Sequence, residues 1–94
     1  MLFSFYCADK PGHAEVRTAN RAAHLAFLER HAERLFAAGP LLSDDGQSMV
    51  GSILIVECDD RAAADAFAVE DPYAQAGLFE SVTIRPWRRV YPKD

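Results

Sequence analysis

The segment from Val50 to Cys58, VGSILIVEC, restricts the fold of this 94-residue chain more than any other. It is rich in β-branched and large apolar residues, which predicts a strand. Side chains alternate between the two faces of a strand, and this one is apolar on both: Val50, Leu54 and Val56 share one face, and Ile53 and Ile55 the other. We therefore expect a sheet with helices on one face and a second subunit on the other, since large apolar patches are seldom left in water.

The first half of the chain predicts a strand, a long helix and a hairpin. Leu2 to Cys7 is aromatic-rich and predicts the first strand. Glu15 to Ala38 is rich in alanine and contains neither Pro nor Gly, so it predicts a helix that ends before Gly39 and Pro40. A short strand over about 40–44 and a turn at Asp45-Gly46 would then lead into the strand at 50–58.

The second half predicts one more helix and a last strand. DDRAAADAFAVE reads as a helix capped by Asp59 or Asp60, and its inner residues would be Ala62, Ala63, Ala66 and Phe67. The final strand spans about 81–91, and Pro86 places it at a sheet edge because proline donates no backbone hydrogen bond. The order βαββαβ predicts a single α+β domain over residues 1–94, with a ferredoxin-like antiparallel sheet in the strand order 4-1-3-2 and both helices on one face.

The helical periodicity of the first helix predicts where its histidine lies. At 100° per residue, His24 falls at the border of an apolar arc and would line a cleft beside the core. The arc itself comprises Arg21, Leu25, Leu28, Ala32, Leu35 and Phe36. The topology brings the end of strand 1, the start of helix 1, the 44–46 turn and the end of helix 2 to one edge of the domain, so His24 and Asp71 are expected near each other.

His24 and Asp71 are the candidate catalytic residues. An imidazole exchanges protons near neutral pH, and a carboxylate on its other nitrogen fixes the tautomer and stabilises the charged ring. The structural alternative is a histidine at the border of the core and an aspartate that caps a turn before Pro72.

The other candidate sites are weaker. His24 and His31 are seven residues, about 10 Å, apart along a helix, which is too far to chelate one ion, so no metal site is expected. The absence of a glycine-rich phosphate loop predicts no cofactor. Cys7 lies at the same edge as His24 and is either part of the site or a small buried residue. Cys58 lies at the opposite end of the sheet, which predicts that the two thiols stay reduced.

The charge distribution excludes two classes of partner. The formal net charge is −4, and apart from Arg85, Arg88 and Arg89 the basic residues are dispersed. We therefore expect neither nucleic acid nor a membrane surface as partner. The apolar N-terminal run is short and follows no basic segment, so the sequence predicts no signal peptide or membrane span. Together with the reduced cysteines, this favours a cytoplasmic protein.

Four segments carry a resemblance to a known family: RAAHLAFL, AAGPLLSDDG, GSILIVE and EDPYAQAGLFESVTIRPWRRV. Over essentially the whole chain they resemble the YciI-like proteins. The resemblance implies a dimeric α+β barrel of ferredoxin-like protomers, related in fold to muconolactone isomerases, with a catalytic His-Asp pair that the motif carries onto His24 and Asp71. The family includes an aromatic-degradation member that eliminates chloride from a chlorinated hydroxyhydroquinone.

These observations lead to one main hypothesis and two alternatives. The main hypothesis is a cofactor-independent lyase or isomerase that acts on a small cyclic or aromatic oxygenated molecule, with Cys7, Arg21, Tyr73 and Phe79 as substrate-binding residues. Pro72 would force Asp71 out of helical geometry and aim its carboxylate at the cleft. The alternatives are a homodimeric module that binds a small ligand without turnover, and a structural dimer whose cleft is vestigial.

Overall fold

A four-stranded antiparallel sheet with helices on one face forms the protein, as a computed structural model of residues 1–93 shows. The elements in chain order are β1 (Leu2–Asp9), α1 (Ala14–Arg30), β2 (Leu35–Leu42), β3 (Met49–Glu57), α2 (Arg61–Glu70), α3 (Pro72–Gln75) and β4 (Phe79–Trp87). The strand order β2-β3-β1-β4 confirms the ferredoxin-like α+β fold. Pro86 lies in β4, at an edge of the sheet.

The prediction of a helix up to Ala38 is wrong, because α1 ends at Arg30 and the following residues form β2. β2 pairs with β3 from Leu35, opposite Val56, to Leu42, opposite Met49. The backbone hydrogen bonds that β3 offers along this edge outweigh the helix propensity of the alanines. Gly39 and Pro40 consequently lie within an edge strand, where proline is tolerated, and do not end a helix.

The buried face of α1 also differs from the predicted arc. Its buried residues are Arg17, His24 and Phe27, whereas Leu25 is 46 % exposed and Arg21 is exposed. Positions 35 and 36 of the predicted arc belong to β2, and the packing of α1 on the sheet buries a neighbouring face of the helix. His24 is therefore buried and does not lie at the border of the core.

In α2 the inner face differs as well. Ala64 and Phe67 are buried, whereas Ala62 and Ala66 are exposed. Asp60 is the N-cap, and its side chain accepts a hydrogen bond from the Ala63 N–H. A capping carboxylate at this position stabilises the first turn of the helix, which starts at Arg61.

The core lies between the helices and one face of the sheet. Its members are Phe3, Phe5, Cys7, Phe27, Leu54, Val56, Cys58, Ala64, Phe67 and Ile84. In the described part of the chain, no helix covers the opposite face, which carries Tyr6 and Ile53, 52 % and 38 % exposed. Val50 was predicted to share a face of β3 with Leu54 and Val56, which are buried, but it is exposed beside an irregularity in the pairing of β2 with β3.

The two cysteines lie at opposite ends of the sheet. Cys7 lies in the C-terminal half of β1, where it pairs with Ser52. Cys58 follows β3, and its N–H donates a hydrogen bond to the Met1 carbonyl, next to the start of β1. Both are buried and free. Among residues 1–93, no helix combines the length and the apolar character that a membrane crossing requires.

Candidate active site

Asp71 occupies the junction between α2 and α3. It is the C-cap of the first helix and the N-cap of the second, with an extended backbone (φ −62°, ψ 125°). Pro72 disfavours helical geometry at the residue before it, so the break at Asp71 follows from local stereochemistry. The Asp71 Oδ1 accepts a hydrogen bond of 2.9 Å from the Tyr73 N–H. This cap holds the carboxylate in one position, where only 3 % of the residue is exposed.

His24 of α1 meets this carboxylate. Its Nδ1 lies 2.9 Å from the Asp71 Oδ1, and its ring stacks on Tyr73 with the centroids 4.0 Å apart. Because a carboxylate only accepts, the proton of this bond belongs to Nδ1 of the histidine. Nε2 is then the nitrogen that a ligand can meet. His24 is 7 % exposed and lines a cleft.

The cleft has a volume of about 130 Å³ and opens between α1 and the strands β2 and β3. Its lining combines apolar side chains with a few polar groups. The lining residues are Arg17, Arg21, His24, Leu25, Leu28, Ala38, Gly39, Pro40, Met49, Ser52, Leu54 and Tyr73. An apolar cavity with a few convergent polar groups is the usual form of a small-molecule site.

Arg17 lines the cleft and was missed by the sequence analysis. Its Nε and Nη2 bind the Asp9 carboxylate at 2.8 and 2.9 Å, and Nη2 also donates to the Gly51 carbonyl and the Ser52 hydroxyl. The guanidinium carbon lies 4.6 Å from the centroid of the Tyr73 ring. Burial by itself lowers the pKa of Arg17, but the hydrogen bonds and charge of Asp9, with smaller contributions from Tyr73, outweigh it and raise the pKa, so the residue is a permanent cation.

One signal for Arg17 was present in the sequence. It precedes His24 by seven residues, which is about two helical turns, so the two side chains share a face of any helix that contains both. The partner Asp9, at the end of β1, has no comparable local signal. Their contact depends on how α1 crosses the sheet.

The four predicted substrate-binding residues separate into two groups. Arg21 and Tyr73 line the cleft. Cys7 and Phe79 do not; with Asp71 they border a small internal gap in the core, and Phe79 packs edge-on against Tyr73. Burial, together with the charges of Asp71 and Asp9, raises the pKa of Cys7 to about 12, so its thiol is neutral. Cys7 and Phe79 therefore pack in the core beside Asp71 and Tyr73 and do not line the cleft.

Tyr73 and His31 differ in their relation to the cleft. Burial raises the pKa of Tyr73, so its hydroxyl is protonated and can donate a hydrogen bond. His31 packs edge-on against Phe27 and Phe67, away from the cleft. In the described part of the chain, no group of three or more His, Cys, Asp or Glu residues could hold a metal ion.

Comparisons with known proteins cover nearly the whole chain. Residues 1–88 match the YCII-related domain. The chain is 39 % identical to the protein YciI of Escherichia coli and 35 % identical to an uncharacterized protein of Haemophilus influenzae, in each case over 97 % of this chain and 100 % of the relative. These relatives have no activity in their names.

The similar solved structures include proteins with a defined activity. One is the 5-chloro-2-hydroxyhydroquinone dehydrochlorinase TftG from Burkholderia phenoliruptrix in complex with 2,5-dihydroxybenzoquinone, which is 37 % identical with a TM-score of 0.89 and full coverage of both chains. The cofactor-independent oxygenase SnoaB from Streptomyces nogalater is 18 % identical, covers 98 % of this chain and 96 % of its own, and has a TM-score of 0.56. The latter likeness shows the fold alone.

Proposed function

This chain belongs to the YCII-related domain family, and from that membership and the geometry of its cleft we propose that it is a cofactor-independent lyase or isomerase with His24 as the acid/base. Its substrate is a small cyclic or aromatic oxygenated molecule, and Asp71 is the residue that orients His24. The observation that carries the proposal is the buried 2.9 Å hydrogen bond between His24 Nδ1 and Asp71 Oδ1. The fold and the family support a small-molecule enzyme, and this bond supports the mechanism.

The mechanism follows from the two nitrogens of the ring. With Nδ1–H donated to Asp71, the neutral imidazole has its lone pair on Nε2, which accepts a proton from a hydroxyl or an acidic C–H of the substrate. Asp71 then stabilises the imidazolium that forms. In an elimination, His24 returns the proton to the ring carbon that bears the leaving group, which makes that carbon tetrahedral. Loss of a second hydroxyl proton then forms a carbonyl and expels the leaving group with its electron pair, so that one proton and one anion are lost overall. In an isomerisation, the same proton returns to another carbon.

The size of the cleft supports a substrate of one ring. Its volume of about 130 Å³ is close to the ~150 Å³ cavity that holds benzene in an engineered protein. The similar dehydrochlorinase acts on a chlorinated hydroxyhydroquinone and was solved with a dihydroxybenzoquinone. We therefore choose 5-chloro-2-hydroxyhydroquinone as the first substrate to assay, with release of chloride and formation of the quinone as the readouts.

The coupling of His24 to Asp71 can be tested without a substrate. In Asp71→Asn we expect the His24 ring to titrate at a lower pH than in the parent protein, because the neutral amide no longer stabilises the imidazolium. Proton NMR titration of the ring measures this shift, with His13 and His31 as internal references. Asp65→Asn, a matched change at an exposed carboxylate of α2, should leave the titration of His24 unaltered.

An identical His24 titration in the parent and in Asp71→Asn would mean that the two groups are not coupled, and the acid/base mechanism would be abandoned. The alternative is a binding module that holds a ligand in the same cleft without converting it. Coupling would survive in such a module, so turnover decides between the two.

We also propose that the protein is a homodimer formed through the open face of the sheet. Tyr6 and Ile53 are exposed on that face, and Phe36 and Trp87 contact each other with their centroids 5.8 Å apart. Burial of these apolar groups against a second copy favours association. The two free thiols favour the cytoplasm as the location of this dimer.

For the dimer, we expect a double variant, Tyr6→Glu with Ile53→Glu, to be a monomer, because two carboxylates per subunit would be desolvated in the interface. Light scattering at micromolar concentration measures the mass. Val69→Glu, on the exposed surface of α2, is the matched control and should remain dimeric. A parent protein that is a stable monomer under these conditions would overturn the proposal.

A further inference from the structure

The basic groups of the cleft face its interior, and their carboxylate partners lie behind them. Asp9 holds Arg17 from one side, and Asp71 holds His24 from the other. Of the described residues that line the cleft, none is an aspartate or a glutamate. Arg21 also lines it and forms no ion pair with any residue in the range 1–93. A ligand in the cleft therefore meets positive charge and hydrogen-bond donors.

Arg17 is held with one edge free. Its hydrogen bonds use Nε and Nη2, which are fixed by Asp9, Gly51 and Ser52. Nη1 takes no part in these four hydrogen bonds, and Arg17 lines the cleft beside Tyr73, whose side chain also interacts with the guanidinium. The residue as a whole is only 6 % exposed. A rigid, nearly buried cation with donors left over is suited to an oxygen anion, since its position is set before the ligand arrives.

We propose that the cleft selects ligands that carry an anionic oxygen on a planar ring, with the oxygen bound by Arg17 Nη1 and the side chain of Arg21. This inference rests on the proposed function and names its substrate class, an ionised phenol or enol. Removal of a proton by His24 places negative charge on the ring oxygens, and the two arginines are the groups that would stabilise it. The oxygen of an uncharged ligand is a weaker acceptor for a guanidinium than an anionic oxygen, so such a ligand should bind less tightly.

The probes that test this are 4-nitrophenol and its uncharged methyl ether, 4-nitroanisole. The phenolate is coloured, so a protein that binds it in preference to the phenol raises the absorbance at a fixed pH near the pKa of the free probe. We expect the parent protein to raise this absorbance and to bind nitroanisole more weakly. Fluorescence quenching or calorimetry measures the dissociation constants of both probes.

Three variants separate the arginines from a general charge effect. Arg21→Gln should weaken phenolate binding about 3- to 10-fold, the range for a partly exposed charge-assisted contact. Arg17→Lys should weaken it about 10-fold, because a lysine cannot hold Asp9 bidentately and still present a free edge. Arg30→Gln changes the net charge equally on the same helix but lies outside the cleft, and should bind both probes like the parent.

The ratio of phenolate affinity to nitroanisole affinity is the decisive quantity. A loss of structure in Arg17→Lys would weaken the binding of both probes and leave this ratio unchanged. A parent ratio near one, no phenolate binding at millimolar concentration, or an Arg21→Gln variant with the parent ratio would each overturn the inference. If His24 is coupled to Asp71 while the selectivity is absent, the proposed function stands and this inference falls. If the protein prefers the phenolate but His24 is not coupled to Asp71, this inference stands and the proposed acid/base mechanism falls.

Discussion

Turnover of the ring substrate proposed above should fall by about 10²- to 10⁴-fold in His24→Gln, the usual contribution of a positioned acid or base. Glutamine keeps most of the bulk of the side chain and can still donate a hydrogen bond to Asp71, but it does not accept a proton at neutral pH. The fold should therefore survive while proton transfer is lost. Steady-state kinetics measures the effect, and a thermal melt confirms that the variant is folded.

The loss should appear in kcat with little change in KM, because the proton transfer belongs to the transition state and contributes little to ground-state binding. His13→Gln is the matched control; His13 lies before α1, where its Nδ1 meets the Pro11 carbonyl, and the variant should have parent activity. A His24→Gln variant that retained full turnover would remove His24 from the mechanism. A parent that bound the substrate but converted none of it would identify the binding module.

The second large effect concerns stability. Arg17→Met should lower the free energy of unfolding by about 3–5 kcal/mol, because it leaves the Asp9 carboxylate buried without its cation. The Arg17 and Asp9 side chains are 7 % and 8 % exposed, and water cannot replace the lost partner. Denaturant unfolding measures the change, provided that the free energy of unfolding depends on denaturant concentration with the same slope in the variant and the parent.

The chain supplies a matched control in Arg61→Met. Arg61 and Asp65 form an ion pair of similar length, 2.9 Å, but their side chains are 56 % and 58 % exposed. A solvated pair of this kind contributes about 0–1 kcal/mol, so Arg61→Met should be nearly neutral. Equal losses in the two variants would show that burial of the Arg17–Asp9 pair is not what stabilises the fold. A double variant, Arg17→Met with Asp9→Leu, should recover part of the loss because no charge remains buried.

Local stereochemistry and strand patterning account for what could be predicted. The two apolar faces of β3 identified a central strand, and the order of elements then defined the ferredoxin-like topology. Pro72 forces an extended backbone on the residue before it, and so placed the end of α2 at Asp71. The same order brought α1 and the end of α2 together, and the structure has His24 and Asp71 within hydrogen-bond distance. Their catalytic role stays a prediction.

By itself, the sequence determined the topology and the break at Asp71, because both depend on side-chain alternation and on steric limits within a few residues. The tertiary structure alone decided three other features. Residues 35–42 form a strand because β3 offers backbone partners along that edge, which outweigh the helix propensity of the alanines. His24 is buried because the packing of α1 on the sheet decides which face of the helix is covered. Arg17 meets Asp9 because α1 crosses the end of β1, and no pattern in the sequence between them encodes that crossing.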